Sequence, residues 1–173
     1  VTRAEQGGGS GGGAGSTGSV VGVDLGGTKI AAGLVGTDGR IRHSVSAPTP
    51  ALQGPGAVLD AVASAVAELT GDDVRAVGVG GAGAIDARTG TVLSATDALP
   101  GWTGTRLTAE LRQRTGLPVA VDNDVRAHAL GEAWQGGAAG RSPVLFLAVG
   151  TGVGAALLVD GAPQRGARSV AGH

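Results

Sequence analysis

The sequence predicts an α/β protein that opens on a three-strand meander, and two observations carry that reading. Residues 20–25 and 29–35 are apolar-rich runs and 40–47 reads as a third strand, all separated only by turn signals, Gly26-Gly27 and Thr37-Asp38-Gly39, with no room for a helix between them. Beyond them, segments of helical period alternate with short apolar runs, the pattern of crossover helices packed on a sheet. A dinucleotide-binding fold is excluded at the start, because its first strand would run straight into a helix.

Each element follows from local signals. Pro48 and Pro50 end the third strand. Val58, Leu59, Val62, Val66 and Leu69 recur at helical spacing and predict a helix over 57–69. Residues 74–79 read as a strand, 80–83 as a glycine loop, 86–90 as a turn and 91–93 as a short strand. A helix is expected over 105–115, with Gly116 and Pro118 as its stop signals. Residues 117–121 read as a strand, 125–135 as a helix, and 144–149 with 153–160 as paired strands. Residues 6–19, almost all Gly and Ser, read as a flexible linker or disordered tail.

Composition narrows the function classes. Apolar residues make up 42%, enough for a core, but the only aromatics are Trp102, Trp134 and Phe146, so that core is aliphatic. The formal net charge is −1 and there is no basic stripe, which speaks against nucleic-acid binding by these residues. The absence of cysteine excludes a disulfide, a thiolate nucleophile and a Cys-ligated zinc, and suits the cytoplasm. Residues 1–19 lack the apolar core of a signal peptide. Residues 142–159 carry no charge over 18 positions, the length of a membrane span, but the run Gly150-Thr151-Gly152-Val153-Gly154 breaks them, and two short buried strands fit better. The chain starts at Val1 and ends at His173 without a closing element, and is expected to be a fragment at both ends.

Three stretches carry chemistry. Asp24-Leu25-Gly26-Gly27-Thr28-Lys29 lies at a strand–strand turn, where glycines let backbone N–H groups approach a phosphate, Thr28 adds a hydroxyl, and Asp24 could hold Mg²⁺ through water. An ordinary hairpin tip is the alternative. Gly150-Thr151-Gly152-Val153-Gly154 is a second such turn, or again a hairpin. Asp122-Asn123-Asp124 joins a strand to a helix: Asp124 either caps the helix or acts as a general base, with Asn123 orienting the substrate. The helix dipole favours a negative charge at that place. Residues 78–83 match G-x-G-x-x-G, but the helix that a dinucleotide site needs does not follow. There is no P-loop and no G-x-S-x-G elbow; His43, His128 and His173 have no metal-ligand spacing, and His128 reads as a surface or packing residue.

In this order and spacing, these stretches, together with Leu99-Pro100-Gly101-Trp102, Ala127 and Leu130-Gly131-Glu132, resemble the ROK family of repressors, open reading frames and sugar kinases. The resemblance covers residues 20–173. It implies actin-like ATPase (ribonuclease H-like) lobes: 20–122 as the N-terminal lobe and 123–173 as the start of an incomplete C-terminal lobe. It implies ATP with Mg²⁺ between the lobes, and a hexose or N-acetylhexosamine in the cleft. Asp124 matches the catalytic base; Asp24, Gly26, Gly27, Thr28 and Lys29, with Thr151 and Gly152, match the nucleotide loops; Gly83, Thr96, Asn123, Asp124 and His173 match sugar contacts. Asp122 stands where members often carry Glu. His173 stands where the sugar motif has Glu, as in some N-acetylmannosamine kinases. The family's structural zinc ligands would lie beyond His173. A homo-oligomer is expected at full length, and this chain alone is expected to phosphorylate nothing. The alternative within the family is a sugar-responsive repressor whose DNA-binding domain is missing from this chain.

Overall fold

The computed structural model describes residues 18–150 and 152–172. The opening meander is β1 (Ser19–Leu25), β2 (Lys29–Gly36) and β3 (Ile41–Pro48), paired antiparallel through the two glycine-bearing turns. A 3-10 turn at Ala51–Gln53 leads into α1 (Pro55–Leu69), which begins at proline, where a missing N–H costs no helical hydrogen bond. There follow β4 (Val74–Gly81), a hairpin of β5 (Ala84–Asp86) and β6 (Thr91–Ser94), α2 (Leu107–Thr115), β7 (Val119–Asn123) and α3 (Asp124–Gln135). The described chain closes with β8 (Val144–Val149), β9 (Val153–Val159) and β10 (Ala162–Pro163).

The main sheet has the order β3-β2-β1-β4-β7, with β4 parallel to β1 and β7 parallel to β4. Parallel neighbours need crossovers, and α1 and α2 supply them. Period-two alternation sends Val21, Val23 and Leu25 toward these helices, where they meet Val62, Val66, Leu107 and Leu111 in one buried cluster. Leu99 and Trp102 belong to the same cluster, so the Leu-Pro-Gly-Trp stretch is a core plug. A second sheet, β10-β9-β8, is antiparallel. α3 covers one side of it, with Ala129 against Ala156 and Leu158; Leu145, Leu147 and Val149 are exposed.

Several boundaries differ from the sequence reading for tertiary reasons. Gly80 and Gly81, expected in a loop, are the last two residues of β4, held between β1 and β7. β7 lies two residues later than expected because pairing with β4 carries the ladder through Asp122 and Asn123. β5 and β10 are too short to leave a pattern. The charge-free stretch 142–159 holds β8 and β9, paired as expected but not buried, since α3 covers only one side and Leu145, Leu147, Val149 and Val153 are exposed; among the described residues no helix is long and apolar enough to cross a membrane.

The core makes a direct stability prediction. Leu111 is fully buried and Leu52 is 94% exposed. Leu111→Ala should cost about 2–5 kcal/mol through lost transfer energy and a cavity, whereas Leu52→Ala should stay within about 0.5 kcal/mol. Urea denaturation read by fluorescence of the buried Trp102, in a Trp134→Phe background, measures both.

Candidate functional site

Three parallel strands end side by side, and their register fixes one row across the sheet. Asp24 on β1 pairs with Gly80 on β4, and Gly80 with Asp122 on β7. On the same face, α3 begins over Gly80: a Cβ there would stand 3.0 Å from Ala127 Cβ and 3.4 Å from Asp124 Cα. Glycine at 80 therefore seats the first turn of α3 directly on the strand ends.

Asn123 caps α3, its Oδ1 accepting the Arg126 N–H at 3.3 Å. The cap considered for Asp124 thus falls one residue earlier. Asn123 is buried, and its Nδ2 donates to Asp124 Oδ1 at 2.7 Å and to the Gly83 carbonyl at 3.1 Å. The Val125 N–H donates to the same Asp124 Oδ1 at 2.9 Å. Oδ1 is thus anchored twice, while Oδ2 has no hydrogen-bond donor among the described residues. Gly83 has φ +98°, and a Cβ there would lie 2.5 Å from the Ser94 carbonyl oxygen, so only glycine fits.

At the first turn, Asp24, Thr28 and Lys29 are exposed. The Gly26 N–H is already committed to the Lys29 carbonyl at 3.0 Å, which leaves Gly27 and Thr28 as the backbone donors of the turn. Thr49 staples it: Oγ1 donates to the Gly26 carbonyl at 2.7 Å, and its N–H to the Thr28 carbonyl at 2.9 Å. At the second turn, the Gly150 N–H donates to the Gly152 carbonyl at 2.9 Å and Gly152 is exposed. Thr151 and His173 lie outside the described residues.

A cavity of about 810 Å³ runs over the open face of the main sheet, with Asp24, Lys29, Asp122, Asp124, His128 and Arg165 in its wall. It brings together Asp24 and Lys29, which flank the first turn, and Asp124; Gly26, Gly27 and Thr28 of the turn itself do not line it. Gly83, Thr96, Asn123 and Gly152 do not line it; Asn123 touches its wall through Asp124, Gly83 is linked to it only through Asn123, and Thr96 is exposed on the loop after β6. Near Ala87, also in its wall, Asp86 accepts the Arg88 N–H and the Thr89 hydroxyl, which hold its carboxyl below the usual range.

Three residues of this region escaped the sequence reading. His128, taken there for a surface or packing residue, lies one helical turn after Asp124, with Nε2 4.0 Å from Asp24 Oδ2. Its spacing of four from Asp124 was the available signal. Arg126 is 1% exposed and pairs with Asp122 at 3.2 Å, and Arg165 reaches the same carboxylate at 2.6 Å. Nothing local announces that pairing, since Arg165 is 43 residues away from Asp122. Among the described residues, no group of three His, Asp or Glu side chains is arranged to hold a metal ion by itself.

Comparison with known proteins places this geometry. The ROK family model matches residues 20–173. The chain belongs to the ROK family. Its relatives include the Streptomyces coelicolor glucokinase, 40% identical over 89% of this chain and 48% of that protein. An N-acetylmannosamine kinase of Escherichia coli is 37% identical over 87% of this chain and 51% of that protein. Among solved structures, a ROK family glucokinase from Streptomyces griseus in complex with glucose and AMPPNP superposes with a TM-score of 0.82 at 40% identity, over 90% of this chain and 49% of that one. The chain thus spans about half the length of the curated relatives it matches, and it shares the α/β, actin-like architecture of ROK sugar kinases.

Seating of the ROK helix on Gly80 is testable. Gly80→Val should cost about 1–3 kcal/mol by overpacking. Gly78, two residues earlier on the same strand, has nothing within 4 Å of its would-be Cβ. Gly78→Ala should change stability by less than about 1 kcal/mol. Urea midpoints of the two variants measure the contrast.

Proposed function

We propose that this chain is part of an ATP-dependent sugar kinase acting on a hexose or N-acetylhexosamine, with Asp124 as general base. The observation that carries the reading is the state of the Asp124 carboxylate. Oδ1 is fixed by Asn123 Nδ2 and the Val125 N–H, Oδ2 has no hydrogen-bond donor among the described residues, and Asp124 lines a cavity shared with Asp24 and Lys29. A carboxylate held by one oxygen presents the other in a defined direction, which is what proton acceptance from a bound hydroxyl requires. In the reaction, Oδ2 takes the proton of the sugar hydroxyl as that oxygen bonds to the γ-phosphorus of ATP. The bond from the γ-phosphorus to the β,γ-bridging oxygen breaks, and ADP leaves. Little covalent chemistry falls to the protein, so positioning and charge stabilisation dominate.

The remaining residues take roles that suit their surroundings. Gly27 and Thr28, with free N–H groups at an exposed turn, would donate to phosphate oxygens, as would Thr151 and Gly152 at the second turn. Lys29 adds positive charge in the same wall. Asp24 is exposed and, among the described residues, has only His128 near it at 4.0 Å, which suits holding Mg²⁺ through water; bound there, the ion would neutralise charge on the phosphates. Gly83, Thr96 and His173 are the further sugar contacts that the family resemblance proposes. Asn123 serves the sugar site through Asp124, since both of its Nδ2 hydrogens are engaged inside the chain. A kinase is preferred to a repressor because relatives at 37–40% identity are sugar kinases.

The test is sugar-dependent ADP release by the full-length gene product on glucose, N-acetylmannosamine and N-acetylglucosamine. Asp124→Asn, which keeps size and hydrogen bonding, should lower kcat by about 10²–10⁴-fold while sugar binding by calorimetry persists. Turnover undiminished in Asp124→Asn would overturn the assignment of the base. Asp24→Asn should raise the Mg²⁺ concentration needed for half-maximal rate, with little change in sugar affinity.

A further inference from the structure

We propose that Asp122, Arg126 and Arg165 form a latch that holds the segment 165–172 against the helix carrying Asp124, with Arg126 as a positioning residue for the sugar site. The proposal rests on the kinase reading above for its functional consequence and on geometry for the latch itself.

The segment has little else to hold it. Residues 164–172 form neither helix nor strand, and Val170 is 42% exposed, so apolar burial contributes little. Its backbone turns sharply, with φ +69° at Gly166, +58° at Ser169 and +95° at Gly172. Its carbonyls point inward to one guanidinium: Arg126 Nη2 accepts no bond but donates to the Ser169 oxygen at 2.7 Å and to the Ala171 oxygen at 3.3 Å. Arg126 Nη1 donates to Asp122 Oδ1 at 3.2 Å, and Arg165, at the head of the segment, donates from Nε and Nη2 to Asp122 Oδ2 at 3.1 and 2.6 Å. The far end is tied to β9 by the Ala155 N–H, which donates to the Gly172 carbonyl at 2.8 Å.

A guanidinium that is 1% exposed must be matched by charge and acceptors or it is too costly to bury. Asp122 supplies the charge, and two loop carbonyls supply acceptors in the planar fork that arginine presents. The consequence is mechanical. Asp122 immediately precedes the Asn123 cap, Arg126 lies two residues after Asp124, and Arg165 shares the cavity wall with Asp124. Any shift of the segment relative to α3 must break a buried ionic hydrogen bond. The latch therefore fixes the spacing between the base and the chain that leads into His173. This also gives Asp122 a role: its two oxygens serve two different arginines, one on the helix and one on the loop.

The experiment uses the full-length gene product with three variants: Arg126→Met, Arg165→Ala and Asp122→Asn. Initial rates are measured against sugar and against ATP, and hydrogen–deuterium exchange is followed by peptide. Arg126→Met should raise the sugar KM by about tenfold or more and leave the ATP KM within about twofold. Arg165→Ala, at a half-exposed partner, should show the same split at about three- to fivefold. Exchange should accelerate in peptides covering 166–172 and stay unchanged in α1. Sugar and ATP KM rising together, or unchanged exchange over 166–172, would overturn the latch. Should Arg126→Met fail to fold, Arg165→Ala and Asp122→Asn decide by the same two readouts. If the wild-type protein turns over no sugar, the kinase reading fails, and the exchange data with calorimetric sugar binding judge the latch separately.

Discussion

The site depends on one packing constraint: α3 must lie close to two sheets at once. Gly80 on β4 admits the first turn of the helix, and Gly154 on β9 admits it from the other side, where a Cβ would come within 2.8 Å of Val125 Cγ2. Small residues of the helix face these contacts, Ala127 toward β4 and Ala129 toward Ala156 on β9. A helix pinned from two directions has little freedom to tilt or slide. The carboxylate at its N-terminus inherits that rigidity, so Asp124 is placed by the scaffold rather than by the conformational choice of a loop.

Asp124 and Asp24, two carboxylates of the cavity, are held in opposite ways, and the contrast agrees with the roles proposed for them. Asp124 is half-buried and has one oxygen bound by two donors, so it can present its second oxygen to only a narrow range of positions. Asp24 has a side chain 56% exposed, and among the described residues its one ionisable neighbour within 4.0 Å is His128. Such a group can reorient around a hydrated ion, whereas it is poorly suited to aim at a single hydroxyl. Asp122, a third carboxylate in the same row of strands, is removed from chemistry altogether by its two arginines. Three acidic residues, two in one strand register and one at the start of α3, thus stand in three different surroundings, which separates the roles proposed for them.

Much of this was legible in the sequence. The meander and the helices carry period-two and helical signals closed by glycine and proline, and these local cues agree with the fold. The failures share a cause. Gly80-Gly81 reads as a loop because glycine is the usual mark of one, yet here it answers a demand for close approach made by a helix more than 40 residues later. Asn123 was passed over as the cap because the end of β7 is set by its pairing with β4 and not by any pattern within 117–125. Arg126 sits mid-pattern in a helix with a weak apolar stripe, and its carbonyl partners are 43 and 45 residues away. The family resemblance singles out Asp124, but only the structure shows which of its oxygens has no hydrogen-bond donor among the described residues.

The Leu-Pro-Gly-Trp stretch shows how core and site are joined. It helped to identify the chain, yet Leu99 and Trp102 are 4% and 1% exposed and belong to the aliphatic core. Gly101, at φ +72°, makes the bend that turns Trp102 inward, and the Trp102 N–H closes onto the Leu99 carbonyl at 3.2 Å. The residue before Leu99 is Ala98, and a Cβ at Gly27 would come within 2.9 Å of the Ala98 Cβ. The first turn is thus braced from one side by Thr49 and from the other by a loop that the tryptophan anchors in the core. The Gly27 and Thr28 N–H groups, without an acceptor among the described residues, owe their placement to these supports, because the turn itself contributes only the one hydrogen bond from Gly26 to Lys29. A residue buried in the core can therefore set the geometry of the turn proposed to bind phosphate, which gives a role to a large buried aromatic in a core otherwise built from Val, Leu, Ile and Ala.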